Sequence, residues 1–205
     1  VFNLLSGGSL SIPWGMTIGV LSILVYTLWG GMWSVAVTDF IQMIILVLGL
    51  VILSWFAADM AGGAGKVVDL ITSRDMLRFW PEPTWHEMLF FFGAAITMML
   101  GSIPQQDVFQ RVMSANTEKA ATHGTVIGGS AYILFAFVPM FIVAAAVVVM
   151  GEQAMEIAKN DYQRLLPSFV MGKMPLIMQI LFFGALLSAI KSTSSATLLA
   201  PATSF

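Results

Sequence analysis

The first 38 residues carry no charged side chain, and neither does the run from Phe40 to Ala58. Three further stretches repeat the pattern, at residues 88–106, 125–150 and 174–190. Each is close to the ~20 apolar residues that a helix needs to cross a bilayer. In lipid every backbone N–H and C=O must find its partner inside the protein, so such runs fold as helices. Composition agrees: 58% of residues are hydrophobic and 10% charged, with a mean hydropathy of +0.89. A soluble domain carries about 25% charged residues. The sequence therefore predicts an all-α polytopic membrane protein. Residues 1–205 form a single transmembrane domain with spans at about 12–29, 34–56, 88–112, 125–150 and 175–200. There is no cysteine, which excludes a disulfide framework and thiolate metal sites. The net charge of −2 gives no footprint for nucleic acid. The chain opens on Val1 and stops at Phe205 in or just past a helix, and reads as an internal piece of a longer protein.

In chain order, residues 1–5 read as the end of a preceding helix. Gly30-Gly31 breaks the first span, and so short a turn sends the second span back antiparallel. Asp39 and Gln42 lie i,i+3 on one face of that second span. Asp39 is either a helix-start carboxylate favoured by the macrodipole or a functional group. Residues 59–87 form a polar connection with flexible glycines, a short interfacial helix within 67–80, and Trp80 and Trp85 at the membrane boundary. His86 has no partner histidine nearby and is an interfacial side chain. The third span is interrupted: Gly101, Ser102, Ile103, Pro104, Gln105 and Gln106 follow its apolar half. Glycine and proline weaken the helix, and the freed backbone groups must face protein or a polar cavity. Such interruptions mark transporter binding sites, although a simple proline kink has the same composition. Residues 111–123 read as a short polar loop. The fourth span has Pro139 as a kink, and residues 151–173 read as a second polar loop with a short helix at 153–165.

The run from Gly184 to Thr197, GALLSAIKSTSSAT, is the most informative. It is apolar enough to span, yet it carries five hydroxyls and the Lys191 ammonium between Ser188 and Ser195. A charge at mid-membrane costs about 2.5–3.5 kcal/mol even on insertion scales. At ~100° per residue, Ala189, Ser192 and Thr193 share one face. An oxygen-only ligand set suits a hard monovalent cation; small hydroxylated residues also simply let helices pack closely. Lys191 lies about 160° from Ala189. It either snorkels to the interface, contacts a solute, or acts as a tethered cation paired with Asp39.

Three segments together resemble one family. The run Tyr26 to Gln42, YTLWGGMWSVAVTDFIQ, is similar to an element of the sodium:solute symporter family. The run Gln110 to Asn116, QRVMSAN, resembles the element after its sixth core helix, and Ser188 to Ser195, SAIKSTSS, resembles one on its eighth. The resemblance implies a leucine-transporter-type five-plus-five inverted repeat, of which this fragment covers about core helices 4 to 8. It implies sodium-coupled symport of a small solute in the plasma membrane, with sodium as coupling ion and no other cofactor. It places sodium on the Ala189 carbonyl and the Ser192 and Thr193 hydroxyls. A second cation site would use Asp39, Ser192 and Ser195, where Ala196 replaces a final serine; Lys191 could stand in that ion's place. The solute would sit beside Gly101, Ser102, Gln105 and Gln106. The run GSIPQQDVFQR is nearest to the choline-transporting branch. Gln105 stands where that branch has tryptophan, so the cation–π attraction for a quaternary ammonium is missing there. The resemblance also puts the Gly30 turn and residues 111–123 in the cytoplasm. A count of Lys and Arg points the other way, with two on that side and six in the two long loops.

Two other classes compete. A symporter-like membrane domain could serve as the sensor of a larger signalling protein. A Ser–Lys pair, such as Ser188 with Lys191, could act as nucleophile and base, but no oxyanion arrangement accompanies it. The expected partners are lipid, sodium and a small solute.

Overall fold

The computed structural model describes residues 2–76, 78–102 and 105–204. Among these residues all regular structure is helical. A short α1 (Phe2–Leu5) precedes α2 (Ile12–Met60), which bends at Gly31 into two arms. Then come α3 (Ala64–Ser73), α4 (Trp85–Ser102), α5 (Gln106–Met113) and α6 (Glu118–Met150). The chain ends with α7 (Glu152–Asp161), a 3₁₀ turn at Tyr162–Arg164, α8 (Leu165–Lys173) and α9 (Leu176–Ser204). Thr27–Met60, Glu118–Met150 and Leu176–Thr197 are long and apolar enough to cross a membrane. Ile12–Val25 and Trp85–Gly101 are apolar but shorter.

The bend in α2 has a local cause. Gly31 adopts φ 54°, ψ −152°, a region open to glycine and strained for other residues. A Cβ at Gly30 would collide with the Ser34 side chain. Both arms then lie along α9. Residues 12–23 share a groove with Leu187, Ile190 and Ser194. The second arm runs the opposite way, from Met32 and Val35 near Ala196 to Asp39, Met43 and Leu46 beside Thr193 and Ser188. The α2–α9 pair is the most extensive helix contact in the described structure, followed by α2 with α6.

The packed core sits at the end of the bundle that carries the two long connections. Leu53 and Ala57 of α2, Val67 of α3, Ile142 and Ala144 to Ala146 of α6, Phe169 and Val170 of α8, and Phe182 and Phe183 of α9 are buried together. Three consecutive alanines let α6 approach its neighbours closely, the packing device that membranes favour. This end fixes α2 against α9, and the polar groups of both helices lie a few turns further along.

Several sequence expectations are revised. The interfacial helix at 67–80 is instead α3, from Ala64 to Ser73. Gly62 and Gly63 both take positive φ, and their N–H groups bond Asp59 and Ala58, so the chain reverses at once and helix resumes early. The polar loop at 111–123 is mostly helix. Thr117 caps α6 by accepting from the Ala120 N–H at 3.1 Å, so the helix starts at Glu118, before its apolar stretch begins. Thr117→Ala should cost about 1 kcal/mol, seen as a lower unfolding midpoint in detergent. The helix at 153–165 is split into α7 and α8. The latter was missed because its apolar face is short: Leu165, Phe169 and Val170 lie at i, i+4 and i+5 and are buried. The second span reaches Met60, and the last reaches Ser204. The kink residue Pro139 lies within α6, which continues past it.

Candidate functional site

The described residues meet the interrupted third span at one point: α4 is described to Ser102 and α5 from Gln106, and Gln105 between them has extended backbone at φ −66°, ψ 112°. Ile103 and Pro104 lie outside the described residues, as do the side chains of Ser102 and Gln106. Gly101 and Gln105 are exposed. Among the described residues α4 makes the thinnest contact with the other helices. The loop before it docks through an aromatic cluster, in which Phe79 and Trp80 lie 6.0 and 5.9 Å from Phe91. The second half of the interrupted span behaves differently: α5 packs on α9 and α6.

The polar residues of α2 and α9 converge. A groove of about 250 Å³ is lined by Asp39, Gln42, Met43 and Leu46 from α2 and by Ser188, Ala189, Ser192 and Thr193 from α9. It joins the sodium ligands expected from the sequence to the carboxylate expected at a second site. Thr193 Oγ1 donates to the Ala189 carbonyl at 3.0 Å, which sets two oxygens side by side. Ala189 and Ser192 are half-buried, and Thr193 is exposed. Ser195 is fully buried and donates to the Ser192 carbonyl at 2.9 Å. Ser194 and Thr197 also bond back to their own helix, at Ile190 and Thr193. These internal bonds let hydroxyls sit in an apolar helix while their lone pairs remain free to accept.

Asp39 is the electrostatic centre of the groove. Its Oδ2 accepts from Arg111 Nη2 at 2.7 Å, with the Asp39 side chain 18% exposed and that of Arg111 50% exposed. One of the three readings of Lys191 paired it with Asp39; the partner that Asp39 has is Arg111. The reason is topological. After the break α5 turns onto α9, and its last turn reaches the start of the second α2 arm, where Met32, Val35, Ala36, Gln110, Arg111 and Ala196 meet. Lys191 is half-buried on α9. The second carboxylate oxygen, Asp39 Oδ1, is buried and accepts no hydrogen bond among the described residues, and the same holds for Gln42 Oε1. Two buried acceptors one turn apart, on side chains that line the groove, call for a cation or a donor beside them. Gln42 was noted for its spacing but not assigned to a site. Arg111 carried a signal too, as the arginine of the QRVMSAN run.

Residues 4–205 match the sodium:solute symporter family. The chain belongs to that family. It is a family of membrane transporters, and Thr27–Met60, Glu118–Met150 and Leu176–Thr197 fit transmembrane helices by length and composition. The high-affinity choline transporter 1 of Torpedo marmorata is 28% identical over 191 residues, covering 88% of this chain and 32% of that protein. Its namesake from Drosophila melanogaster is 30% identical over 194 residues, covering 88% and 29%. The high affinity choline transporter 1 of Homo sapiens is 30% identical over 116 residues, covering 54% and 18%. The chain thus spans about a third or less of the length of these relatives. No solved structure matches it.

Proposed function

We propose that the full-length protein is a sodium-coupled symporter of the plasma membrane that takes up a small solute by alternating access. Residues 1–205 would form about core helices 4 to 8 of its single transmembrane domain, a leucine-transporter-type five-plus-five inverted repeat. The observation that carries the reading is the groove between α2 and α9, which gathers Asp39, Gln42, Ser188, Ala189, Ser192 and Thr193. Its carboxylate, amide carbonyl, backbone carbonyl and hydroxyls offer oxygen ligands, the chemistry that a hard monovalent cation requires, beside the apolar walls of Met43 and Leu46. Sodium, as cargo, would be held by the Ala189 carbonyl and the Ser192 and Thr193 hydroxyls. A second cation would lie nearer Asp39 Oδ1, with Ser195 behind it.

The solute would bind where the third span is interrupted, beside Gly101, Ser102, Gln105 and Gln106. A broken helix presents unpaired backbone groups that a polar solute can satisfy, as at other transporter sites. The named relatives are choline transporters, which makes choline the first solute to try. Gln105 contributes a neutral amide, suited to hydroxyl or amide groups rather than to cation–π contact. Coupling requires only that ion and solute favour the same conformational state.

The test is uptake of a panel of labelled solutes, choline included, by the full-length protein in vesicles with an inward sodium or potassium gradient. At least one solute should accumulate with sodium alone. A panel spanning amines, sugars, amino acids and carboxylates with no sodium-stimulated uptake or binding would defeat the reading.

A further inference from the structure

The carboxylate of Asp39 faces two ways. Oδ2 is held at 2.7 Å by Arg111, and Oδ1 is buried without a hydrogen bond among the described residues, on a side chain that lines the groove with Gln42, Ser188, Ser192 and Thr193. A cation seated on Oδ1 would share one negative charge with the guanidinium. At that spacing two positive charges repel strongly in a medium drier than water. We propose that Arg111 is a tethered competitor for the coupling cation: it holds Asp39 when the cation is away and is loosened when the cation binds. The inference rests on the symport reading above and adds a way for the ion to act on the solute helix.

The position of Arg111 gives the competition its consequence. It lies in the last turn of α5, the helix that resumes at Gln106 directly after the interruption. The ion pair with Asp39 ties that end of α5 to α2, while the body of α5 packs on α9 and α6. Ala36 of α2 and Ala196 of α9 are small there, Met32 and Val35 stand beside them, and a void of about 50 Å³ remains beside Arg111 and Ser114. Dispersion falls steeply across such a gap, so the ion pair carries a large share of the attachment. Weakening it loosens the α2 side of α5, one half of the interrupted span. Ion occupancy and solute-site geometry are then linked through a single side chain, and the linkage is reciprocal. Arg111 acts here through Asp39, as a positioning residue.

Two measurements on the full-length protein test this. In uptake assays Arg111→Gln should lower the half-saturating sodium concentration by about tenfold, because a competing charge is removed, and Arg111→Lys should restore most of the wild-type value. An unchanged or higher value in a folded Arg111→Gln protein overturns the proposal. The second measurement keeps Arg111 in place and so survives a variant that fails to fold. Cysteines at Met32 and Ser114, which flank the void, should cross-link several-fold more slowly in sodium than in equal potassium. A rate indifferent to sodium, or faster in it, overturns the proposal even where uptake is sodium-driven. If wild-type uptake shows no dependence on sodium, the symport reading fails and the competition fails with it.

Discussion

Asp39→Asn should reduce sodium-stimulated uptake by the full-length protein to near background. The change is nearly isosteric, so packing is spared and charge is what is lost. Two consequences follow. The groove between α2 and α9 loses its formal negative charge, and the interaction of a carboxylate with a cation is worth about 1.5–3 kcal/mol more than that of a neutral amide. At 1.4 kcal/mol per factor of ten, the half-saturating sodium concentration rises by at least about tenfold. Arg111 also loses its 2.7 Å partner. Removing one member of a fully buried pair costs about 3–5 kcal/mol. The half-exposed guanidinium can rehydrate, so the stability loss here is smaller and the protein should still fold. Thermal unfolding in detergent separates the two effects. Asp39→Glu, which keeps the charge one methylene further out, should recover part of the uptake. A folded Asp39→Asn protein with wild-type sodium dependence would remove Asp39 from the ion site.

Much of this arrangement was legible in the sequence because it depends on period and punctuation. Charge-free runs set the spans, Gly30-Gly31 set the reversal, and the 3.6-residue period put Ala189, Ser192 and Thr193 on one face. All three do line one groove. What the sequence could not reveal depends on where helices meet. The i,i+3 spacing put Asp39 and Gln42 together, but it could not choose between Lys191 and Arg111 as the cation beside them. That choice is made by the path of the chain after Ser102, which a proline-containing interruption does not specify. Lys191 was the natural candidate because a charge inside an apolar run demands an explanation, whereas Arg111 sat among polar residues and demanded none. The boundary errors have the same origin. Hydropathy sees where lipid contact stops, not where hydrogen bonding stops, so the Thr117 cap and the first turns of α6 were read as loop. For α8 the error ran the other way: Leu165, Phe169 and Val170 give a buried face too short to register as a period.

The division of the interrupted span into a loosely held α4 and a docked α5 bears on mechanism. Alternating access needs an element whose two placements differ by little free energy, so that an ion's differential affinity can shift it. On its α2 side α5 is held through an ion pair beside a void, which meets that requirement better than apolar packing would, while α9 and α6 support the rest of the helix. The contact of α2 with α9 is the stable counterpart, anchored at its far end by the core around Leu53, Phe169 and Phe182. An ion bound between α2 and α9 therefore sits on a fixed frame and acts on a movable neighbour.

The proposed ion ligands on α9 supply the other large effect. Ser192→Ala and Thr193→Ala should each raise the half-saturating sodium concentration by about tenfold, and the double variant by more. Each removes one oxygen from a coordination shell, a charge–dipole interaction of about 1.5–3 kcal/mol in a poorly solvated site. The structural cost is small. Thr193 donates only within its own helix, to Ala189, and alanine is the better helix former. Thr193→Ser keeps the hydroxyl and should stay close to wild type, whereas Thr193→Val keeps the shape without the oxygen and should behave like alanine. Ser194→Ala is the internal control, since Ser194 bonds back to Ile190 and faces the other groove, with residues 12–23. Initial uptake rates across a sodium titration, at fixed ionic strength, give the comparison. Sodium curves for Ser192→Ala and Thr193→Ala that overlay the Ser194→Ala curve would place the ion elsewhere.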